Sequence, residues 1–235
     1  LQNTSDTYHY SAWQDQQEAF IASLQFQPLA VVLRPEEIDF REPYLNNPLF
    51  SLIEQLQWAG VKHIEIAWSQ HPSWICLMQV LKTSFTDISL GAASITNSHA
   101  LDSILELGLD YAMTPIWNPT MQLKARKLKQ LLVPGVFSPT EIHQAKCFGC
   151  QLIKLFPAST LGVKYINHLK APIRSLPFII AAGGLTVDDV NPWLKEGYGA
   201  IALGRGLIQN HQIDPLLQKW LKDRESQSNH YTEST

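Results

Sequence analysis

The sequence predicts a single (β/α)8 barrel with an extra helix ahead of its first strand, and three observations predict it. Short apolar runs of strand length recur eight times along the chain. Amphipathic stretches separate them, many opened by proline or by Ser/Asn-type caps. The chain has 235 residues, 45% hydrophobic and 17% charged, which is enough for one large core in one domain. A doubly wound open sheet is the structural alternative, but it usually needs fewer strands.

The elements follow in order. An extra helix is expected around Trp13–Gln25, ahead of a first strand at Leu29–Leu33. The proline-opened stretch Pro48–Ala59 leads to a second strand at His63–Ala67, and a third run lies at Asp87–Gly91. Helix Ser98–Leu107 precedes the fourth strand, Asp110–Met113. The N-P-T sequence at Asn118–Thr120 starts helix Pro119–Lys129, which feeds the fifth strand, Leu131–Pro134. S-P-T-E at Ser138–Glu141 is a capping box for helix Pro139–Lys146. The last three strands are Leu152–Leu155, Phe178–Ala181 and Ala200–Leu203. The barrel accounts for residues 1–222 as one domain, and the polar tail Asp223–Thr235, DRESQSNHYTEST, reads as disordered.

Composition narrows the function classes. A formal net charge of -3 gives no bulk attraction to nucleic acid or to an anionic membrane. No apolar run is long enough to span a bilayer. The first ten residues, LQNTSDTYHY, carry no basic, apolar signal-peptide pattern. Three cysteines make no disulfide framework, so a reducing cytoplasm is the default. Cys147 and Cys150 form a C-x-x-C, but at the end of a helix, where the dipole opposes thiolate formation. Two packing cysteines beside a turn glycine are the better reading. The eight histidines show no H-E-x-x-H pattern, and no metal is assigned.

The segment Leu152–Ser159, LIKLFPAS, carries the most chemistry. It sets Lys154 inside an apolar run that a proline closes. Burying an ammonium is costly, so such a lysine is either paired or held at a lowered pKa as an amine nucleophile for a carbonyl. A snorkelling lysine at a strand end is the plain alternative. Glu65, in VKHIEIAW, is flanked by Ile64 and Ile66 and points to the face opposite them. If that face is the barrel interior, Glu65 and Lys154 meet; a buried ion pair without catalysis is then the plain reading.

Upstream lies Leu132–Ile142, LVPGVFSPTEI, and downstream Phe178–Thr186, FIIAAGGLT. With LIKLFPAS, these segments resemble the 2-keto-3-deoxy-6-phosphogluconate aldolase family, which includes the 4-hydroxy-2-oxoglutarate aldolases. Its members carry VPG-x-x-[ST]-P-[ST]-E, then a lysine in K-[FL]-F-P-A, then G-G-[IVL]-[ST], in this order and spacing. The resemblance spans roughly Leu29 to Ile208.

It implies a class I, Schiff-base aldolase that cleaves a 2-keto-4-hydroxy acid to pyruvate and an aldehyde. Lys154 is then the nucleophile and Glu65 the general acid/base. Arg34, at the end of LAVVLR, is placed to bind a carboxylate bidentately, and Ser94, in GAAS, stands where the family usually has threonine. Pro115, in MTPIW, matches the family's S-P-G proline, and Phe156 walls the site. Gly183 and Gly184, with Gly204, Arg205 and Gly206, are the implied phosphate site. The resemblance also implies a homotrimer acting on a small keto-acid substrate without a cofactor, and an extra helix covering the barrel bottom.

Two departures stand out. The family's E-V-T-L-R-T reads Glu65-Ile66-Ala67-Trp68-Ser69 here, with serine in place of a carboxylate-binding arginine. The family's G-G-S reads Gly204-Arg205-Gly206. Trp68 and Trp117 are also expected to crowd the barrel mouth. The rival readings are another phosphate-binding barrel enzyme that uses Lys154 only electrostatically, and a non-catalytic binder of a phosphorylated metabolite.

Overall fold

The computed structural model describes residues 4–209 and 211–232. Eight parallel staves form a barrel: β1 (Leu29–Leu33), β2 (His63–Ala67), β3 (Ser89–Ala93), β4 (Tyr111–Met113), β5 (Leu132–Val133 and Gly135–Val136), β6 (Leu152–Leu155), β7 (Phe178–Ala182) and β8 (Ala200–Leu203). β5 is halved because Pro134 has no N–H to give the ladder. Its first half pairs with β4 and its second with β6. The carbonyls of Leu131 and Val133 accept from Ala112 and Thr114, and those of Pro134 and Val136 accept from Lys154 and Phe156. This one stretch therefore closes the barrel. β3 begins two residues later than its apolar run suggests, because Thr86 and Asp87 form a turn.

Strand alternation sorts the side chains into two cores. Leu29, Val31, Leu33, Ile64, Ile66, Ile153 and Leu155 face the helices. Ala30, Tyr111, Met113, Leu152, Ile180, Ala182, Ala200 and Ala202 fill the barrel interior. Towards the C-terminal end of the strands the interior is small-sided on β7 and β8, at Ala182 and Ala202.

The first helix runs Thr4–Phe26, well beyond the expected Trp13–Gln25. It covers the barrel bottom with Phe20 and Leu24, which belong to the interior core. Phe20 lies 4.2 Å from the Tyr111 ring and meets His63 edge-on at 5.7 Å. His63 pins the helix in turn: its Nδ1 lies 3.1 Å from the Leu29 carbonyl and its Nε2 2.7 Å from Ser23 Oγ. Burial pushes the His63 pKa down, so the ring is held neutral.

The helix starts follow the local code. The Ser138 side chain accepts from the Glu141 amide while the Glu141 carboxylate accepts from the Ser138 amide. Asn97 and Asn118 accept from Ala100 and Met121. The last helix, Pro215–Thr232, extends into the segment whose composition reads as a disordered tail. Arg224 anchors it: its guanidinium donates to the carbonyls of Gln25 and Phe26 and lies over the Trp220 ring. Polarity had masked this long-range docking. Residues 233–235 of the tail lie outside the described residues.

Phe20→Ala should remove the barrel's lower plug. Deleting a buried phenyl ring costs about 3–5 kcal/mol, and urea unfolding should show that loss together with an unchanged helix content. A loss below about 1 kcal/mol would mean that the first helix is not part of the cooperative core.

Candidate active site

The alternation of β2 and β6 brings Glu65 and Lys154 together. Ile64 and Ile66 take the outer face, as do Ile153 and Leu155, so the two charged side chains enter the barrel. Lys154 Nζ lies 4.0 Å from Glu65 Oε2, with side-chain exposures of 7% and 0%. At that distance the attraction is about 4 kcal/mol for an effective dielectric of 20. Desolvation costs several kcal/mol for each ion, so burial outweighs pairing. The pKa directions agree: burial pushes Glu65 up to about 7 although Lys154 opposes it. Burial pushes Lys154 down, with Glu65 opposing and Arg34 adding to the fall. Both groups move toward their neutral forms, leaving an amine that is available as a nucleophile beside a carboxyl that can exchange a proton.

Above the pair opens a cavity of about 530 Å³ at the C-terminal ends of the strands, where barrels of this class carry their active sites. Its lining includes Lys154, Arg34, Ser94, Pro115, Phe156, Gly183, Gly184, Gly204, Arg205 and Gly206. Thus every site residue read from the sequence lines this one cavity except Glu65, which sits beneath it against Lys154. Val32, Ala182 and Ala202 supply small apolar wall, and Thr96 and Thr186 add two hydroxyls at the rim that sequence reading missed. A second cavity, of about 540 Å³, adjoins the first and shares Val32, Arg34 and Arg205 with it.

Local structure explains several positions. Arg34 Nη1 lies 3.4 Å from Ser94 Oγ, which joins the ends of β1 and β3. Ser94 holds a positive φ of 63, a conformation that non-glycine residues adopt mostly where the surroundings impose it. The Phe156 ring centroid is 5.7 Å from Lys154 Nζ, so the ring shields the amine on one side. Gly183 and Gly184 follow β7 with φ of 95 and 77. A Cβ on Gly184 would run into Ser159 Oγ, and one on Gly183 would come within 2.9 Å of the Phe156 ring. Both conformation and space demand glycine here. Gly135 lets β5 pass against the Thr114–Pro115 peptide, which any side chain would strike.

The two tryptophans differ from expectation, because neither lines the cavity. Trp68 packs on the outer core and meets His99 edge-on at 5.9 Å, and Trp117 meets Phe148 at 5.8 Å. Trp68 directly follows β2, whereas Trp117 lies in the loop four residues beyond β4. Ser69 also lies outside the cavity lining; its hydroxyl accepts from the His71 amide at 3.1 Å. Burial pushes the Cys150 thiol up to about 12, the reverse of what a redox C-x-x-C needs.

Comparisons with known proteins point to one family. The family model described as KDPG and KHG aldolase matches residues 45–218. The chain is 28% identical over 155 residues to the 2-dehydro-3-deoxy-6-phosphogalactonate aldolase of Escherichia coli (strain K12), covering 66% of this chain and 75% of that protein. It is 26% identical over 186 residues to a probable 2-dehydro-3-deoxy-6-phosphogalactonate aldolase of Rhizobium meliloti (strain 1021), covering 78% and 82%. Among solved structures, the fold matches a KDPG aldolase from Legionella pneumophila with pyruvate captured as a covalent carbinolamine. That match has a TM-score of 0.71 and 18% identity, over 86% of this chain and 96% of that one.

The buried pair sets a pH signature. Lys154→Met removes the cation that holds Glu65 down, so the carboxyl pKa rises beyond about 7. A raised pKa gives stability that is present below the ordinary carboxylate range and is lost as pH rises through the raised value. The unfolding free energy of Lys154→Met should therefore fall as pH rises from the ordinary carboxylate range, about 4.5, through the raised value above about 7. Lys154→Met/Glu65→Leu should show no such fall and should be the more stable of the two. Parallel profiles in urea titrations would show that Glu65 does not carry the raised pKa.

Proposed function

The chain belongs to the KDPG and KHG aldolase family and is a carbon–carbon lyase, and from that premise we propose that it is a class I aldolase releasing pyruvate from a 2-keto-4-hydroxy acid. One observation carries this reading: a buried lysine and a fully buried glutamate, 4.0 Å apart, at the floor of a cavity. Lys154 attacks the C2 carbonyl and forms a carbinolamine, which loses water to give an iminium. Glu65 shuttles protons in this step, and it then takes the proton of the C4 hydroxyl. The C3–C4 electron pair flows into the iminium, which leaves an enamine on Lys154 and frees the aldehyde. Protonation at C3 and hydrolysis release pyruvate and regenerate the amine. The iminium itself is the electron sink, so the scheme requires no further cofactor.

The rest of the cavity divides by charge. Arg34, paired with Ser94 at the rim, takes the substrate carboxylate in place of the family arginine that Ser69 replaces. Pro115 and Phe156 shape the apolar wall and keep the amine dry. The backbone of Gly183, Gly184, Gly204 and Gly206, with the Arg205 guanidinium, takes a distal phosphate. Phosphorylated sugar acids of the phosphogluconate and phosphogalactonate type therefore fit better than an uncharged aldehyde half.

Incubation with pyruvate and borohydride should add irreversible mass at Lys154, and Lys154→Ala should abolish both adduct and turnover. An adduct on another lysine, or none at saturating pyruvate, would remove the aldolase assignment. Glu65→Gln should retain the adduct but slow turnover by about a hundredfold to ten-thousandfold; near-normal turnover would assign the proton to another group.

Arg34→Ala removes one charge-assisted hydrogen bond, worth about 1.5–3 kcal/mol. Pyruvate capture should therefore weaken by about one to two decades. Unchanged capture would place the carboxylate elsewhere in the cavity.

A further inference from the structure

Tyr111 is a buried residue that the scheme above does not use. It sits on β4 in the barrel interior with no exposed surface. The strand register places it in one layer with the candidate proton carrier: Glu65 pairs with Gly91, and Gly91 pairs with Tyr111. Gly91 has no side chain, and the Tyr111 ring occupies the space a side chain would fill. A Cβ there would lie 2.6 Å from both Tyr111 Cε2 and Cζ. The hydroxyl-bearing end of the ring thus reaches across β3 toward β2. From below, the Phe20 ring packs against it, centroid to centroid 4.2 Å and tilted by 31°.

Two groups in this layer share the same deficit. Among the described residues, neither Glu65 carboxylate oxygen nor the Tyr111 hydroxyl has a hydrogen-bond partner. A buried phenol is a donor in need of an acceptor, and a buried carboxylate accepts only. The charged and titratable groups facing Glu65 are Lys154 from β6 and Tyr111 from β4, with Arg34 at the end of β1 acting on Lys154. Asp110, beside Tyr111, and His63, two residues before Glu65, complete the neighbourhood. The β3 neighbour is Gly91, which brings no charge.

We propose that Tyr111 is a positioning residue, whose hydroxyl donates to the ionised Glu65 carboxylate, directly or through one water, and holds it for proton transfer. The proposal rests on the aldolase reading. Lys154 binds the carbon skeleton and leaves the carboxylate once it becomes an uncharged carbinolamine. At that stage the phenol is the donor that steadies the Glu65 anion, and a donor to the anion makes it easier to form. Phenol and carboxylate also share the low-dielectric interior, where such a bond is stronger than in water.

The test compares wild type, Tyr111→Phe and a 2,3-difluorotyrosine replacement at position 111, with pH profiles of kcat for retro-aldol cleavage of 2-keto-3-deoxy-6-phosphogluconate. Tyr111→Phe keeps the ring on Gly91 and loses only the donor. Its acid limb should move to higher pH by about one unit, and kcat should fall about tenfold with KM nearly unchanged. Difluorotyrosine is a stronger donor and should move the limb the other way. Superimposable limbs in all three proteins, or shifts of one sign in both variants, would overturn the proposal. Pyruvate trapping by borohydride in the same preparations separates the two readings. Loss of wild-type trapping would remove the aldolase assignment, whereas trapping with unmoved limbs would remove only the role of Tyr111.

Discussion

The rest of the site depends on one constraint: a lysine and a glutamate share the barrel interior without enough water to keep both charged. Their separation of 4.0 Å leaves attraction too weak to offset two desolvations. Each group is driven toward neutrality, Lys154 down and Glu65 up to about 7. Replacing the pair by apolar side chains would make a better core, so its retention is explained by chemistry rather than by stability. The same low dielectric that costs folding energy gives an amine that is nucleophilic near neutral pH.

The scaffold around the pair supplies what it needs. Small residues on β7 and β8 keep space above the amine, and Phe156 limits water beside it. The Phe20 plug and the His63 contacts cover the barrel from below, on the side away from the mouth. Closure through the β5 stretch fixes β6 against its neighbour by the Lys154 amide itself, which donates to the Pro134 carbonyl at 2.9 Å. The VPG segment is thus structural support for the strand that carries the lysine. Gly135 serves the same end by admitting the Thr114–Pro115 peptide.

Much of this was legible in sequence because strand alternation is a strong signal. Four strands, Leu29–Leu33, His63–Ala67, Leu152–Leu155 and Ala200–Leu203, have the bounds that their apolar runs suggest. The meeting of Glu65 and Lys154 followed from the isoleucines beside one and the apolar run around the other. What was not legible depended on long-range contacts or on side-chain direction. The tail helix is held by Arg224 against the first helix, nearly two hundred residues away in sequence. Trp68 and Trp117 were expected at the mouth by size, but both pack against the outer core. Tyr111 was not singled out in the sequence, because an aromatic in a short apolar strand is usually core; its register with Gly91 and Glu65 sets it apart. The glycine loops were read as an implied phosphate site, whereas the spatial need for glycine at Gly183 and Gly184 shows in the contacts with Phe156 and Ser159.

The central claim is that burial keeps the Lys154 amine neutral at a pH where ordinary lysines are charged, and 15N NMR of lysine side chains measures this directly. The protein labelled at lysine Nζ, with Lys154→Met to assign the resonance, is titrated from neutral to alkaline pH. Lys154 should titrate well below the other lysines of the chain. A Lys154 resonance that titrates together with the surface lysines would contradict the account, because the amine would then be a paired cation and not a nucleophile.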